Sequence, residues 1–299
     1  MLITPLPGVH RDSLRQSLTS LHQGVANIRG GANHPAMHRV FSYLDWASEV
    51  RRQLRAQISV ASLNTLVPPD RYQLLMSTAA SLYGKVQGAE MVLNGLLAVE
   101  LDERIQAFED AISGLAAQVK QFERAGRLVV LDSNVYLHHP QKLEEMDLAP
   151  ALGTRHGPIH ILVPMVVVDE LDALKQHSKA HNRWRAGYTT AVLDSHVYLP
   201  DGFGVLRPED FSRLVSDGVA HGRVTFQIMF DPPGHVRLPI NDDEIIDRVL
   251  AVEPLAGRQV TMVTYDTGMA MRAKAAGVEV VKLEQQKLGE EPKAACADR

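Results

Sequence analysis

The spacing of apolar residues changes near residue 125 and divides the chain into two parts. Before this point, apolar residues recur every three or four positions, which is the spacing of amphipathic helices. Helices are expected from about residues 10, 36, 67 and 94, with a break at GGANHP (30–35). The last helix carries one apolar stripe, made of Leu101, Ile105, Phe108, Ile112 and Leu115. Phe41, Tyr43 and Trp46 are expected in the core of an all-α helical domain over residues 1–124.

After Ala125, short β-rich runs alternate with helical stretches. The runs lie at 127–132, 160–163, 259–266 and 278–283. This alternation predicts an α/β domain over 125–284, with a parallel sheet covered by helices. Between residues 200 and 240, RVTFQIMF and HVRLPI flank the turn DPPG, which predicts a hairpin-like insertion. Residues 285–299 are expected to form a flexible tail.

Composition limits the classes of function. The chain has 299 residues, of which 45% are hydrophobic, and a net charge of -4. It is therefore expected to fold around a sizeable core and to contact nucleic acid only through a local basic patch. Cys296 is the single cysteine, so no disulfide forms within the chain, which fits a reducing, cytoplasmic location. No signal peptide or membrane-spanning run is expected.

Acidic residues stand where the predicted strands end. Asp132 follows LVVL and Asp266 follows TMVTY. The carboxyl ends of parallel strands share one edge of a sheet, where binding sites form. Glu170 flanks the apolar stripe of the helix VPMVVVDELDAL, whereas Asp169 and Asp172 are expected in solvent. Taken alone, Asp132 is equally explained as a helix cap and Glu170 as an exposed side chain.

The stretch NDDEIID (241–247) adds four acids. A helix that begins after Asp242 puts this residue at the N-cap, over the sheet edge, with Asp243 and Asp247 to one side and Glu244 farther out. Carboxylates that gather without a cation are costly, and oxygen ligands favour hard ions such as Mg²⁺ or Mn²⁺. The sequence therefore predicts a metal pocket formed by Asp132, Glu170, Asp242 (with Asp243) and Asp266.

Residues 127–283 resemble the PIN domain family of metal-dependent ribonucleases. The resemblance is carried by the order and spacing of LDSNVYL, VPMVVVDELDAL, NDDEII and VTYDTGMAMRAKAAGV, and by the proline before the Glu170 helix. It implies a three-layer α/β/α domain in which the four acids hold a pair of Mg²⁺ or Mn²⁺ ions that cleave single-stranded RNA. Asn134 is expected to brace Asp132, and Thr264 to orient Asp266 by a hydroxyl hydrogen bond. The resemblance does not reach residues 1–124, for which we expect dimerisation, partner docking or control of access.

The segment KQHSKAHNRWR (175–185) has a basic or titratable residue at every second position, which does not match one helix face. It is interpreted either as a solvated loop or as a loop that follows a phosphate backbone, with Trp184 stacking on a base. In the second interpretation the substrate contacts are Lys175, Lys179, Arg183, Trp184 and Arg185. His138 and His139 are expected in a loop near the site.

Three other functions stay open. VVLDSNVY also resembles the start of haloacid-dehalogenase-like phosphatases, although Asn134 stands where their second aspartate is needed. A PIN-like module that binds RNA or a protein without catalysis is a second alternative, which the clustered carboxylates oppose. A nuclease that acts on DNA is the third.

Overall fold

The computed structural model describes residues 2–31, 33–82, 88–154, 157–198, 202–212 and 221–284. The expected tail at 285–299 lies outside the described residues, as do residues 200, 201 and 213–220 of the expected insertion. The chain divides into two compact units. The helical unit comprises Met1–Arg124 and Leu250–Arg258, and the sheet unit comprises Ala125–Val249 and the residues from Gln259 onward.

The helical unit contains the predicted helices and one short helix that was not predicted. Their bounds are α1 Arg11–Gly30, α2 Ala36–Leu54, α3 Val60–Leu66, α4 Pro69–Leu82 and α5 Ala89–Gln121. The unpredicted helix, α3, is capped by Ser59, whose side chain accepts a hydrogen bond from the Ser62 amide. Across the part of the chain that the structure describes, no helix is both long and apolar enough to cross a bilayer.

Aromatic residues of α2 are divided between the core and the surface. Tyr43 and Trp46 are buried as predicted, and the Trp46 indole donates to the Leu21 carbonyl at 2.9 Å. The prediction for Phe41 is wrong, because its side chain is 63% exposed. Residues two positions apart on a helix lie on different faces, so Phe41 and Tyr43 do not share the core.

The apolar stripe of α5 is also displaced from its predicted course. Ile105 and Ile112 are partly exposed, and Arg104 and Ala111 are buried beside Leu101, Phe108 and Leu115. Arg104 tolerates burial because its Nε lies 3.0 Å from a carboxylate oxygen of the equally buried Glu100. A paired buried charge therefore lies on the buried face of α5, one position before the predicted Ile105.

The sheet unit contains seven strands among the described residues, and the predicted fold class of a mostly parallel sheet with helices is confirmed. The strands are β1 Arg127–Leu131, β2 Ile159–Pro164, β3 Val197–Tyr198, β4 Phe203–Arg207, β5 Val224–Met229, β6 Thr261–Thr264 and β7 Glu279–Lys282. Their order is β3-β4-β5-β2-β1-β6-β7, with β4 antiparallel to both of its neighbours, β3 and β5. The helices are α6 Ser133–His138, α7 Met165–Leu174, α8 Ala180–His196, α9 Asn241–Ala256 and α10 Thr267–Ala275.

The predicted hairpin between RVTFQIMF and HVRLPI is not formed. Strand β5 pairs in parallel with β2 and in antiparallel with β4, whereas residues 235–240 form no strand. Five of the six β5 residues are buried, which is typical of a strand with a neighbour on each side rather than of an exposed hairpin arm.

Gly126 fixes the entry into β1 and provides a test of the fold. Its φ is +107°, and a Cβ atom there would lie 2.2 Å from the Pro158 carbonyl oxygen. Gly153 also has positive φ, +65°, but a Cβ atom there meets nothing within 4 Å. We expect Gly153→Ala to cost only the ~1–2 kcal/mol of left-handed strain, and Gly126→Ala to cost clearly more. Urea unfolding of both variants measures this; equal midpoints would contradict the described β1 entry.

Candidate active site

Asp132 is the most buried acid at the carboxyl edge of the sheet, with 2% of its surface exposed. The apolar strand β1 carries it there, and its amide donates to the Val263 carbonyl of the neighbouring strand β6 at 3.1 Å. Its Oδ2 accepts hydrogen bonds from Thr264 Oγ1 at 2.8 Å and from Asn134 Nδ2 at 3.2 Å. Ser133 Oγ lies 3.3 Å from Oδ1. These donors are all neutral, so they orient the carboxylate without balancing its charge.

Asp266 follows β6 and begins α10 as its N-cap. Its Oδ1 accepts from the Met269 amide at 2.9 Å, and its side chain is exposed. Thr264 was expected to orient the Asp266 carboxylate, but its hydroxyl accepts from the Asp266 backbone amide, at 2.9 Å, and donates to Asp132. One threonine therefore connects the two segments that carry these acids.

Glu170 lies half-buried on α7, and only one of its oxygens is hydrogen-bonded. Asn241 Nδ2 donates to Oε1 at 2.7 Å, while Oε2 is buried and has no hydrogen-bond partner of good geometry among the described residues. Burial raises the pKa of Glu170, and the charges of Asp132 and Asp242 raise it further; hydrogen bonding from Asn241 and Ser133 opposes this rise. Glu170 is therefore held near other acids in a poorly hydrated position.

Asp242 belongs to the first turn of α9, because the helix begins at Asn241. Its predicted place at the N-cap is therefore wrong, because the helix begins two residues before the expected start at Asp243. Burial is the largest cause that raises the pKa of Asp242. The negative charges of Asp132 and Asp266 raise this pKa further, and the positive charge of Arg272 lowers it. Asp243 instead accepts a hydrogen bond from Arg272 Nη1 at 2.8 Å. This cationic partner distinguishes Asp243 from Asp242. It favours Asp242 as the acid that forms the site together with Asp132 and Asp266.

Glu244 was expected to point outward, and this prediction is wrong because its side chain is fully buried. Its Oε1 lies 2.7 Å from His235 Nε2 and 3.2 Å from Arg248 Nε, and its Oε2 accepts from the Leu238 amide at 2.9 Å. Potential ligand atoms of His235, Glu244 and Asp247 lie within 4.8 Å of one another. Arg248 pairs with both Glu244 and Asp247, so its guanidinium already supplies the positive charge that a metal ion would bring.

The basic segment 175–185 is a loop only in its first part, because α8 begins at Ala180. Arg185 is 4% exposed, and its guanidinium donates to the carbonyls of Tyr136, His139 and Gln141. The prediction that Arg185 contacts substrate is therefore wrong, since its donors hold the chain that follows α6. Lys175 pairs with Asp172 at 2.6 Å, and Arg183 donates to the His177 and Ser178 carbonyls.

The N-terminal turn of α8 nevertheless lies near the acids. Burial lowers the pKa of His138, and the positive charges of His181, Lys179 and Arg185 lower it further, while Asp132 raises it. The basic turn and the acid at the end of β1 therefore shift the pKa of His138 in opposite directions. Lys179 is exposed and begins α8 as its N-cap.

Sequence reasoning missed three polar residues beside these acids. Ser133 contacts Asp132, and Asn241 contacts Glu170. Each of these two polar residues directly adjoins a predicted acid in the sequence. Tyr136 is buried, and its pKa is raised by burial and by the charge of Asp132. The adjacency to an acid was the available signal for Ser133 and Asn241; no local pattern marks Tyr136.

The residues present fit a divalent cation. Asp132, Glu170, Asp242 and Asp266 act on one another electrostatically, and Glu170 retains a buried oxygen with no hydrogen-bond partner of good geometry among the described residues. Within the described parts of the chain, none of these four acids forms an ion pair with Lys, Arg or His, whereas Asp243, Glu244 and Asp247 all do. Carboxylate oxygens that repel one another and lack a protein cation are suited to Mg²⁺ or Mn²⁺.

Comparison with known proteins identifies the part of the chain that carries these acids. A family model described as PIN domain matches residues 129–284, which include all four acids. No curated protein matches the chain.

The raised pKa of Glu170 predicts a pH-dependent effect on stability in the absence of divalent ions. A carboxyl group whose pKa is higher in the folded than in the unfolded state stabilises the fold below its unfolded pKa of about 4.3, and loses this effect as the pH rises through the folded value. Glu170→Gln should therefore be more stable than the wild type at neutral pH, with a difference that vanishes near pH 4. Thermal unfolding in EDTA measures this difference. The exposed Glu209 provides the control Glu209→Gln, which should show no such pH dependence; a Glu170→Gln variant less stable at every pH would contradict the account.

Proposed function

Because the chain belongs to the PIN domain family, we propose that it is a divalent-metal-dependent endoribonuclease that cleaves phosphodiester bonds of single-stranded RNA. The observation that carries this proposal is the gathering of Asp132, Glu170, Asp242 and Asp266 at one sheet edge, where no cation among the described residues forms an ion pair with them. The family supports a nuclease-like fold, and the acids support the metal requirement.

In this proposal the four acids hold Mg²⁺ or Mn²⁺. When bound, such an ion acts as a Lewis acid that lowers the pKa of a water molecule and offsets charge on the phosphate. The protein contributes orientation: Thr264 and Asn134 fix the Asp132 carboxylate, and Asn241 fixes one oxygen of Glu170. The exposed Asp266 adds a carboxylate whose position is set by capping α10. No protein nucleophile is needed for this chemistry.

Substrate attraction is assigned to the exposed cations beside the site. Lys179 is available in this role, while Lys175 and Arg183 contribute charge despite their contacts within the chain. We extend the proposal to a cytoplasmic site of action, which accords with the single cysteine. The helical unit is proposed to serve self-association or the docking of a protein partner.

The phosphatase alternative is less well supported. It requires an acid two residues after Asp132, and Asn134 occupies that position and donates a hydrogen bond to Asp132. An amide that donates to the carboxylate cannot serve as its general acid partner. The arrangement therefore favours metal-held hydrolysis over a covalent intermediate on Asp132.

Substitution of Asp132 tests the proposal directly. Asp132→Asn keeps an oxygen that accepts from Thr264 and Asn134 but removes the charge, so we expect the fold to be retained. Cleavage of single-stranded RNA in Mn²⁺ should fall beyond the ~10–100-fold that is typical when an outer-shell residue is lost. Asp172→Asn is the matched control, because Asp172 lies on α7 near Glu170 but is exposed. Full activity of Asp132→Asn would refute the proposed role.

Divalent ions should also stabilise the wild-type protein. An ion that binds only the folded state at a hundred times its dissociation constant adds ~2.7 kcal/mol to the free energy of unfolding. We expect the melting temperature to rise with Mn²⁺ or Ca²⁺, with little turnover in Ca²⁺ because its coordination is looser. NaCl at matched ionic strength and the Asp132→Asn variant are the controls. A melting temperature that does not change up to millimolar Mn²⁺ would contradict a metal site.

A further inference from the structure

A stack of partly exposed side chains lies on α8 and on the segment that follows α6. The rings of Trp184 and Tyr188, one helical turn apart, are stacked with centroids 5.5 Å apart and planes inclined by 24°. Lys142 Nζ lies 5.2 Å from the Tyr188 ring centroid. The Tyr188 hydroxyl donates to Glu144 Oε2 at 2.7 Å, which fixes the ring. We name Lys142, Tyr188 and Trp184 the aromatic ladder.

Trp184 is held by Tyr188 within the ladder and is also partly open to solvent. Trp184 is 51% exposed although it stacks on Tyr188, so part of its indole is accessible to a further planar group. A single exposed tryptophan is ordinary, but one stacked on a second ring, which itself lies under a cation, is already positioned for stacking. The ladder therefore has the features of a stacking platform.

The position of the ladder relates it to the acids. Arg185, next to Trp184, donates to the carbonyls of Tyr136, His139 and Gln141, which are on or just after α6. Asp132 is the N-cap of α6, and six helical residues span only ~9 Å. The ladder is thus fastened, through its neighbour Arg185, a short distance from the most buried acid of the candidate site.

Charge around the ladder indicates which part of a nucleic acid it would contact. Glu144 is hydrogen-bonded to Tyr188 and disfavours a phosphate there. Lys179 and His181, at the start of α8, lie within electrostatic range of His138, as does Asp132. A neutral base suits the ladder, and the phosphate backbone suits the N-terminal turn of α8.

We propose that the aromatic ladder is a base-stacking subsite that selects single-stranded nucleic acid and directs it toward the acids. This inference deepens the proposed nuclease function and rests on it. A stacking partner must present a free base face, which a single strand does and the interior of a duplex does not. The ladder recognises the base, so RNA and single-stranded DNA share the chemistry.

The test uses the full-length protein in EDTA, so that binding is measured without cleavage. Trp46 and Trp184 are the two tryptophans, and Trp46 is buried in the helical unit. Short single-stranded RNA should therefore quench fluorescence of the wild type, and this quenching should disappear in Trp184→Phe. Binding of fluorescein-labelled RNA, measured by anisotropy, should weaken roughly five- to a hundredfold in Trp184→Ala and remain near wild type in Trp184→Phe. Tyr188→Ala should weaken binding, and Tyr198→Ala, which removes an exposed aromatic side chain outside the ladder, should not.

Each outcome either supports or overturns the subsite. Quenching by single-stranded RNA or single-stranded DNA, with loss of affinity in Trp184→Ala, supports it. Equal affinity of Trp184→Ala and the wild type overturns it, and so does a duplex that binds as tightly as the single strand with the same dependence on Trp184. Absent quenching in a protein that cleaves RNA with Mn²⁺ would refute the ladder and leave the nuclease intact. Quenching in a protein that never cleaves would refute the nuclease alone.

Discussion

The structure of the sheet unit depends on one constraint: parallel strands bring carboxylates to one edge, where no described residue supplies a paired cation for them. Strands β1 and β6 are adjacent and parallel, so Asp132 and Asp266 follow their carboxyl ends at the same edge. Helices α7 and α9 add Glu170 and Asp242, whose pKa values are raised by burial and by the other acids. Hydrogen bonds from neutral groups orient the acids but leave their repulsion in place, so a bound cation would relieve it.

Acids elsewhere in NDDEIID show what the same residue type does when a cation is present. Asp243 is paired with Arg272, and Glu244 is enclosed by His235 and Arg248. These pairs fasten α9 to its surroundings, and the buried Glu244 also accepts from the Leu238 amide of the preceding segment. Of the four neighbouring acids, Asp242 is therefore the candidate ligand, and the other three form structural ion pairs. The presence or absence of a protein cation, rather than burial, distinguishes the two groups.

Much of the sheet was predictable because β1, β2, β6 and β7 are contiguous apolar runs whose ends are marked by polar residues. The acids at the strand ends followed from the geometry of parallel strands. Features that depend on distant partners were not predictable: β5 pairs with β4 instead of forming a hairpin, and Arg185 is buried by carbonyls that follow α6. The prediction for Glu244 was wrong for the same reason, because its partner His235 lies outside helix α9. Periodicity reveals which face of a helix is apolar, but not which buried polar groups find partners.

The most direct measurement is the anomalous scattering of Mn²⁺ in crystals soaked with the ion. The account predicts a peak among the carboxylates of Asp132, Glu170, Asp242 and Asp266. Glu170 Oε2, which has no hydrogen-bond partner of good geometry among the described residues, should be among its ligands. A peak beside His235, Glu244 and Asp247 instead, or none at the four acids at millimolar Mn²⁺, would contradict the central claim.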